Sequence, residues 1–316
     1  MMRALQLNGS LEYRNDVSIP EADRDQALLK VIRAGICNTD LELVEGYMNF
    51  SGILGHEFVA EVQDGPSAWI GKRVVGEINV ADGECEFCRQ GIPSQCSNRV
   101  TLGIDRHNGA FADYMLLKQQ NLHVVPDNVE DNAAVFVEPL AAALQVLEAV
   151  HVSPRDRVIV VGIGKLGALV AQVLRLTGAD VVGLVRREKQ ARLLEKWGIA
   201  HAGREDLQDR SASLVVDCTG TSDGFATSLD LVKPRGTIVL KSTYTGIPQA
   251  DLTRIAVDEV RVIGSRCGPF DAALRLLSAS LVDVESLIEA RYPIEQGMDA
   301  FDHAARKGVF KVLLDF

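Results

Sequence analysis

Two short segments near the N-terminus carry the residue types that bind a catalytic metal. Cys37-Asn38-Thr39-Asp40 supplies a thiol, and Gly55-His56-Glu57 supplies an imidazole beside a carboxylate. Thiolate, imidazole and carboxylate are the ligands that zinc prefers, and a zinc ion with an open position can polarise an alcohol or carbonyl oxygen. A histidine in a glycine-flanked turn is more often structural, but the adjoining carboxylate and the upstream cysteine favour a metal-ligand role for His56.

A second group of metal-binding residue types follows in a polar segment. The run Asp82-Gly-Glu-Cys85-Glu-Phe-Cys88 is followed by Cys96. In a cytoplasmic protein, cysteines clustered in this way indicate a bound metal rather than disulfides. Unrelated buried thiols are implausible in so polar a segment, and we therefore predict a metal-held loop. The remaining cysteines, Cys218 and Cys267, are isolated and receive no role.

A glycine-rich turn between a strand and a helix predicts a dinucleotide-binding site. Gly162 permits the tight turn, Gly164 lets the backbone approach a pyrophosphate, and Gly167 allows close packing of the helix on the strand. The N-terminus of the helix faces the anion. An ordinary glycine turn is the alternative, and the βαβ context counts against it. The predicted phosphate-binding residues are Gly162, Gly164, Lys165, Leu166 and Gly167.

The end of the next predicted strand indicates which dinucleotide binds. NAD-specific folds carry a carboxylate there, about 20 residues beyond the first glycine, and this carboxylate would repel a 2′-phosphate. Here Val185 is followed by Arg186 and Arg187, and guanidinium groups suit a phosphate. The alternative is that both arginines are solvated residues at a helix start. We predict NADP rather than NAD, with further cofactor contacts from Thr219, Gly220, Ile263, Gly264 and Ser265.

The elements that must position these residues change character along the chain. Up to about residue 125 the predicted strands are short and broken by glycine, as in a barrel-like β domain: Ala27–Ala34, Phe58–Val62, Arg73–Ile78 and Phe111–Leu117. From residue 158, strands and helices alternate as in a parallel sheet. Those strands are Val158–Val161, Val181–Val185, Leu214–Asp217, Thr237–Lys241 and Arg261–Gly264; the helices are Leu166–Leu176, Glu188–Trp197 and one that ends over Leu229–Val232. A helix near Asp271–Ser278 and a strand over Phe310–Leu314 complete the chain.

Length and composition limit the possible classes of protein. The 316 residues suggest about two domains, and 47% hydrophobic with 24% charged residues is typical of a soluble globular protein. A net charge of −10 argues against a nucleic-acid partner, because phosphate binding needs a concentrated basic face. The apolar stretches are far too short to span a bilayer, and Met1–Ser10 lacks the features of a signal peptide. We expect a cytoplasmic protein without a membrane partner.

Taken together, these motifs resemble those of the zinc-dependent medium-chain dehydrogenases. The resemblance covers nearly the whole chain and runs from Ala34–Asp40 through Leu54–Glu57 to the glycine loop. Within this family, the chain is more similar to the polyol, threonine and glucose dehydrogenase branches, because Glu138-Pro-Leu stands where many alcohol dehydrogenases carry a cysteine ligand.

The resemblance implies roles for individual residues. Cys37 and His56, with Glu138 or Glu57, would bind the catalytic zinc. Thr39 would relay the substrate proton, and Asp40 would orient His56. Glu42 stands where a histidine often ends the proton relay, which leaves the exit route open. Asp82 replaces the first of the usual cysteines of a structural zinc site, giving one carboxylate with Cys85, Cys88 and Cys96.

The sequence therefore predicts an α/β enzyme of two domains. A GroES-like β-barrel catalytic domain would comprise residues 1–139 and a return segment, 266–316, around a doubly wound Rossmann cofactor domain at 140–265. It would transfer a hydride between a nicotinamide cofactor and an alcohol or carbonyl substrate, such as a secondary alcohol, polyol or sugar. The alternatives are a zinc-free quinone or enoyl reductase on the same fold, and a binding or regulatory protein without turnover. We expect a homodimer or homotetramer.

Overall fold

The computed structural model describes residues 1–244 and 249–316, which form two compact units. One unit comprises Met1–Glu138 and Phe270–Phe316, and the other comprises Pro139–Pro269.

The described strands are β1 (Met2–Asn8), β2 (Ser10–Val17), β3 (Gln26–Ile36), β4 (Gly52–Ile53), β5 (Glu57–Asp64), β6 (Arg73–Gly76), β7 (Asn79–Val80), β8 (Val100–Leu102), β9 (Arg106–His107), β10 (Tyr114–Lys118), β11 (Leu122–Val124), β12 (Arg157–Val161), β13 (Asp180–Leu184), β14 (Ala200–Ala202), β15 (Ala212–Asp217), β16 (Val232–Leu240), β17 (Arg261–Gly264), β18 (Ile288–Pro293) and β19 (Lys311–Asp315). The described helices are α1 (Asn38–Val44), α2 (Glu86–Arg89), α3 (Asp131–Ala134), α4 (Val137–Ala149), α5 (Lys165–Arg175), α6 (Glu188–Lys196), α7 (Ser222–Leu231), α8 (Leu252–Val257), α9 (Phe270–Ser278) and α10 (Gly297–Ala304). In this part of the chain we find no helix with the length and hydrophobicity that crossing a membrane requires.

The first unit is built from β-sheets. Its main sheet has the order β11-β6-β5-β3-β19-β18, with β10 also paired to β3, and β1 lies between β2 and β4 in a second sheet. Strand β3 is central: it pairs antiparallel with β5 on one side and with the C-terminal strand β19 on the other. The chain therefore returns from its far end to the strand that precedes Cys37.

The second unit is a parallel sheet of the order β14-β13-β12-β15-β16-β17. This is the strand order 3-2-1-4-5-6 of a doubly wound dinucleotide-binding fold. The strands are apolar runs because both faces of such a sheet are buried, and Ile159, Val215 and Ile238 are fully enclosed in its core. The predicted α/β class is confirmed.

Among the predicted boundaries that differ from the structure, two are explained by pairing to a distant strand. The strand expected over Phe111–Leu117 begins only at Tyr114, because Ala112 makes an isolated bridge to Ala4 of the other sheet. The helix expected to end over Leu229–Val232 ends at Leu231, and Val232 already pairs with Ala212 as part of β16. In both cases a pairing to a distant strand decided the backbone conformation.

Candidate functional site

Strand pairing in the first unit brings the two N-terminal motifs together. Gly35 of β3 pairs with Glu57 of β5, so Cys37, just beyond β3, lies beside His56, just before β5. Cys37 is the N-cap of α1, and its backbone N–H donates to Asp40 Oδ2 at 2.8 Å. That hydrogen bond replaces the strand ladder that ends there and fixes the turn that carries the thiol.

Three of the predicted metal ligands form one group. The ligand atoms of Cys37, His56 and Glu57 all lie within 4.8 Å of one another, and His56 and Glu57 are buried. Glu138, in the first turn of α4, is not a member of this group. The structure thus gathers a thiol, an imidazole and a carboxylate, and of the two candidate glutamates it places Glu57 with them.

The surroundings of His56 fit a bound cation. Its Nδ1 lies 3.3 Å from Oδ1 of Asp40, which is completely buried. Burial would lower the pKa of His56, but the charge and hydrogen bonding of Asp40, with a smaller contribution from Cys37, raise it well above its ordinary value. An environment that favours positive charge on the ring suits a zinc ion on its other nitrogen, with Asp40 holding the ring in place.

The hydroxyl of Thr39 is also at this site. Its Oγ1 lies 3.9 Å from Sγ of Cys37, within the first turn of α1. Glu42, which stands where a histidine often ends the proton relay, lies on the same helix and is half-buried.

Sequence reasoning missed a buried cation at the same site. The ammonium of Lys311, the first residue of β19, donates to Oε2 of Glu57, and both side chains are almost completely buried. Burial would lower the pKa of Lys311, but Glu57, together with Cys37 and Asp40, raises it, so that the lysine is charged. The signal in the sequence is a lysine that interrupts the apolar terminal run from Phe310 to Leu314.

Room for this ion pair depends on a glycine in the central strand. A Cβ at Gly35 would lie 2.8 Å from Oε2 of Glu57 and 3.1 Å from Cδ of Lys311. Any larger residue would therefore displace the pair.

The second cluster is a separate lobe of the same unit. Ligand atoms of Asp82, Cys85, Cys88 and Cys96 lie within 4.8 Å of one another. Oδ1 of Asp82 accepts the backbone N–H groups of Glu84 (2.8 Å) and Cys85 (3.1 Å), which lower the pKa of Asp82. Backbone N–H groups also lower the pKa of Cys85 to about 7, whereas burial and the neighbouring thiols raise the pKa of Cys88 to about 12. Ionised carboxylate and thiolate groups are the forms that bind zinc.

In the second unit, the glycine loop lies between β12 and α5. Gly162 has φ of +94°, and a Cβ there would lie 2.8 Å from Thr219 Cγ2. A Cβ at Gly167 would lie 2.0 Å from the carbonyl oxygen of Gly162. Gly164 is the N-cap of α5, and a Cβ there would meet open space. The loop therefore presents uncovered backbone at a helix N-terminus, as phosphate binding requires.

A cavity of about 350 Å³ lies at the end of β13, and Arg186 lines it. Arg187 is not among the lining residues, whereas Arg204 and Glu205, beyond β14, are. The two expected arginines thus differ: only Arg186 faces this space.

The side chain of Gln190 ties the arginine loop to the glycine loop. Its Oε1 accepts the backbone N–H groups of Arg186 (2.9 Å) and Arg187 (3.1 Å), and its Nε2 donates to the carbonyl of Ile163 at 2.7 Å. Sequence reasoning did not identify this residue, because a glutamine in an amphipathic helix carries no signal by itself.

The other expected cofactor residues lie at the carboxyl ends of β15 and β17. Thr219 donates its N–H (2.8 Å) and hydroxyl (2.7 Å) to Oδ1 of buried Asp217, and Gly220 follows with φ of +65°. Ile263 and Gly264 end β17, and Ser265 follows. Carboxyl ends of parallel strands are where such folds bind ligands.

Comparison with known proteins agrees with this geometry. Residues 23–127 match the model of the alcohol dehydrogenase GroES-like domain, and residues 166–279 match that of the zinc-binding dehydrogenases. D-arabitol-phosphate dehydrogenase from Enterococcus avium is 28% identical, covering 95% of this chain and 92% of that protein. Sorbitol dehydrogenase from Halalkalibacterium halodurans is 29% identical, covering 93% of each. A zinc-binding dehydrogenase from Sinorhizobium meliloti, solved with NADP, superposes with a TM-score of 0.91 at 28% identity, covering 100% of this chain and 99% of that one. The chain therefore belongs to the zinc-binding medium-chain alcohol dehydrogenase family, in the group that contains polyol and sorbitol dehydrogenases.

Proposed function

We propose that this protein is a zinc- and nicotinamide-dependent dehydrogenase acting on a polyol, sugar or secondary alcohol, or on the corresponding carbonyl compound. The observation that carries the proposal is the group formed by half-buried Cys37 with buried His56 and Glu57. Neither a zinc-free reductase nor a binding protein without turnover has a need for such a ligand set. The cofactor would lie against the second unit and the metal would lie in the first.

The chain's own residues would divide the chemistry between them. Cys37, His56 and Glu57 would hold zinc, with Glu138 as the alternative carboxylate. Bound zinc and nicotinamide would supply, respectively, polarisation of the substrate oxygen and the acceptor or donor of hydride. Thr39 would carry the hydroxyl proton away, since its Oγ1 lies near the Cys37 thiol. Asp40 would keep the His56 ring in the orientation that binds metal.

The test is a paired measurement of metal content and turnover. Wild type, His56→Ala and the exposed-site control His151→Ala would be purified without added zinc and assayed on a panel of polyols, sugars and secondary alcohols. The panel includes phosphorylated pentitols, because the Enterococcus avium relative is named for such a substrate. We expect His56→Ala to lose a zinc ion and nearly all activity while His151→Ala keeps both. An H56A protein with full zinc and full turnover would disprove the assignment.

We also propose that the Asp82 lobe holds a second, structural zinc. The clustered ligand atoms of Asp82, Cys85, Cys88 and Cys96 support this, as does the lowered pKa of the Asp82 carboxyl. This metal would stabilise the lobe without contacting substrate.

NADP is the proposed cofactor. The tip of β13 lacks a carboxylate, and Arg186 lines the adjacent cavity. Arg204 adds a guanidinium there, although it pairs with Asp209, and Glu205 adds a carboxylate that opposes a phosphate. The positive charge of Arg186 is therefore the main attraction for a 2′-phosphate.

The ratio of kcat/KM for NADP to kcat/KM for NAD tests this choice. We expect the wild type to favour NADP and Arg186→Ala to lose most of that preference while keeping its NAD activity. Arg187→Ala is the matched control, and it should retain more of the preference because Arg187 does not line the cavity. A wild type that favours NAD would refute the proposal.

Self-association is proposed for the second unit. Strand β17 is the outer strand of its sheet, with Val262 exposed, and the neighbouring helix α8 exposes Leu252 and Val257. An unpaired edge with apolar neighbours is a surface that a second copy can cover. Sedimentation analysis should show a homodimer or homotetramer, and Val262→Lys should weaken it. We also propose that the protein lies in the cytoplasm, where the thiols of its cysteines would stay reduced.

A further inference from the structure

A buried lysine stands at the carboxyl edge of the parallel sheet. Lys241 follows β16 and is only 8% exposed. Its Nζ donates to the carbonyl oxygen of Ser265 at 3.0 Å and to the Ser265 hydroxyl at 3.2 Å. The ammonium thus lies where β16 and β17 end, and the proton relay and metal ligands described above do not use it.

The strand order places this ammonium in the half of the fold that takes the nicotinamide end of the cofactor. The doubly wound fold consists of two mononucleotide halves, here β14-β13-β12 and β15-β16-β17, and the pyrophosphate lies between them at the glycine loop. The adenosine end belongs at the tip of β13, beside Arg186. The nicotinamide nucleotide therefore belongs at the ends of β15, β16 and β17, where the backbone N–H of Lys241 donates to the carbonyl of Asp217 and its Nζ donates to the carbonyl of Ser265.

The two redox states of the cofactor differ in charge at this end. The oxidised nicotinamide ring carries a positive charge, the reduced ring carries none, and the remainder of the molecule is the same. A cation held away from water acts strongly on another charge nearby, because few water molecules screen it. An ammonium at this edge consequently disfavours the oxidised ring and leaves the reduced ring almost unaffected.

The neighbouring carboxylate does not reverse this sign. Asp217 ends β15, and its two oxygens accept hydrogen bonds from Thr219 and from the Tyr244 hydroxyl at 2.6 Å. Removing the Lys241 ammonium would leave the Asp217 carboxylate in place, and a carboxylate attracts the oxidised ring. Because Asp217 is present in both proteins, the variant differs from the wild type only by the loss of the ammonium's repulsion, and that loss favours the oxidised cofactor.

We propose that Lys241 shifts cofactor binding toward the reduced form relative to the oxidised form, which favours release of the oxidised form after a carbonyl substrate has been reduced. The proposal rests on the proposed function only in requiring that a nicotinamide dinucleotide binds. It assigns Lys241 a role in selecting a redox state, whereas a purely structural lysine would do no more than join the ends of β16 and β17.

The experiment compares dissociation constants, with no substrate and no turnover. Binding of NADPH is followed by its fluorescence and binding of NADP⁺ by competition, in wild type and in Lys241→Met. We expect the ratio of Kd for NADP⁺ to Kd for NADPH to fall by about tenfold in the variant, mainly because NADP⁺ binds more tightly. Lys241→Gln is the second variant should the methionine protein fail to fold, and it should shift the ratio in the same direction.

Two controls separate charge from structure. Lys241→Arg keeps a positive charge at this position, and its ratio should stay within about twofold of wild type. Lys165→Met, at the glycine loop, should change both affinities together, since both redox states share the pyrophosphate. The proposal is overturned if the ratio of the two dissociation constants is unchanged in both Lys241→Met and Lys241→Gln. It is also overturned if the affinities for NADP⁺ and NADPH fall equally, as would happen if the lysine only joined the ends of β16 and β17. A wild type that binds neither redox state would instead refute the proposed function.

Discussion

Replacing Lys311 by methionine would leave the Glu57 carboxylate buried without its ammonium partner. The side chains of the pair are 3% and 1% exposed, so water cannot take the place of the lysine. Removing one partner of such a pair costs about 3–5 kcal/mol of unfolding free energy. In a domain of this size, that corresponds to a melting temperature lowered by roughly 6–20 °C.

A single tryptophan in each unit allows the first unit to be observed by itself. Trp69 lies in the first unit and Trp197 in the second, and the chain has no other tryptophan. In a Trp197→Phe background, fluorescence during urea or thermal unfolding reports on the unit that contains Lys311. The measurement is made on metal-free protein and repeated with saturating zinc. Saturating zinc should restore at least half of the unfolding free energy that Lys311→Met loses, because a metal held by Glu57 replaces the missing positive charge.

A surface lysine of the same unit provides the control. Lys118 pairs with Asp25 at 3.4 Å, with side chains 29% and 65% exposed. Lys118→Met should cost less than about 1 kcal/mol, since exposed ion pairs contribute little. If metal-free Lys311→Met also costs less than about 1 kcal/mol, the buried pair is not the desolvated interaction described here. If zinc recovers nothing, Glu57 is not a ligand, and Glu138 becomes the carboxylate to test.

Three further predictions concern other parts of the chain. Cys88→Ala should release the second zinc and lower the melting temperature, with little change in activity per folded enzyme. Asp82→Cys should slow the loss of this zinc to a chelator. A Cys88→Ala protein that keeps its metal would show that the lobe is held by packing. Gln190→Met should destabilise the second unit by about 1–3 kcal/mol in denaturant unfolding and weaken dinucleotide binding, because it removes hydrogen bonds to both loops; unchanged binding would contradict that role. Burial would lower the pKa of His123, but its acidic neighbours Glu77 and Asp271 raise the pKa above its ordinary value. The charged His123 ring should therefore stabilise the fold at acidic pH, and this stabilisation should be lost as the pH rises through the raised pKa. The wild type should therefore exceed His123→Gln in stability by more at pH about 5.5 than at pH about 9, and a difference that does not vary with pH would refute the charge argument.

Local sequence predicted what depends on short-range rules. The glycine loop, β12 and α5 follow from an apolar run, a tight turn and an amphipathic helix, and each of these is encoded within a few residues. The metal-ligand types in Cys37 and His56 could likewise be read from side-chain chemistry and from the motif that they form. The parallel direction of the strands in the second sheet followed from the alternation of strands and helices along the chain.

Only the tertiary structure decided which distant groups share a site. Lys311 meets Glu57 because β19 returns to pair with β3, and no local pattern encodes that pairing. Of the two candidate glutamates, Glu57 joins Cys37 and His56 because β3 pairs with β5, a long-range pairing that fixes its side chain within the group. Arg186 and Arg187 are equivalent in sequence, yet only Arg186 lines the cavity, because successive residues at the end of a strand point in different directions. Types of side chain and local conformation are properties of the sequence, whereas burial, pairing and the charges that surround a group are set by contacts between segments far apart in the chain.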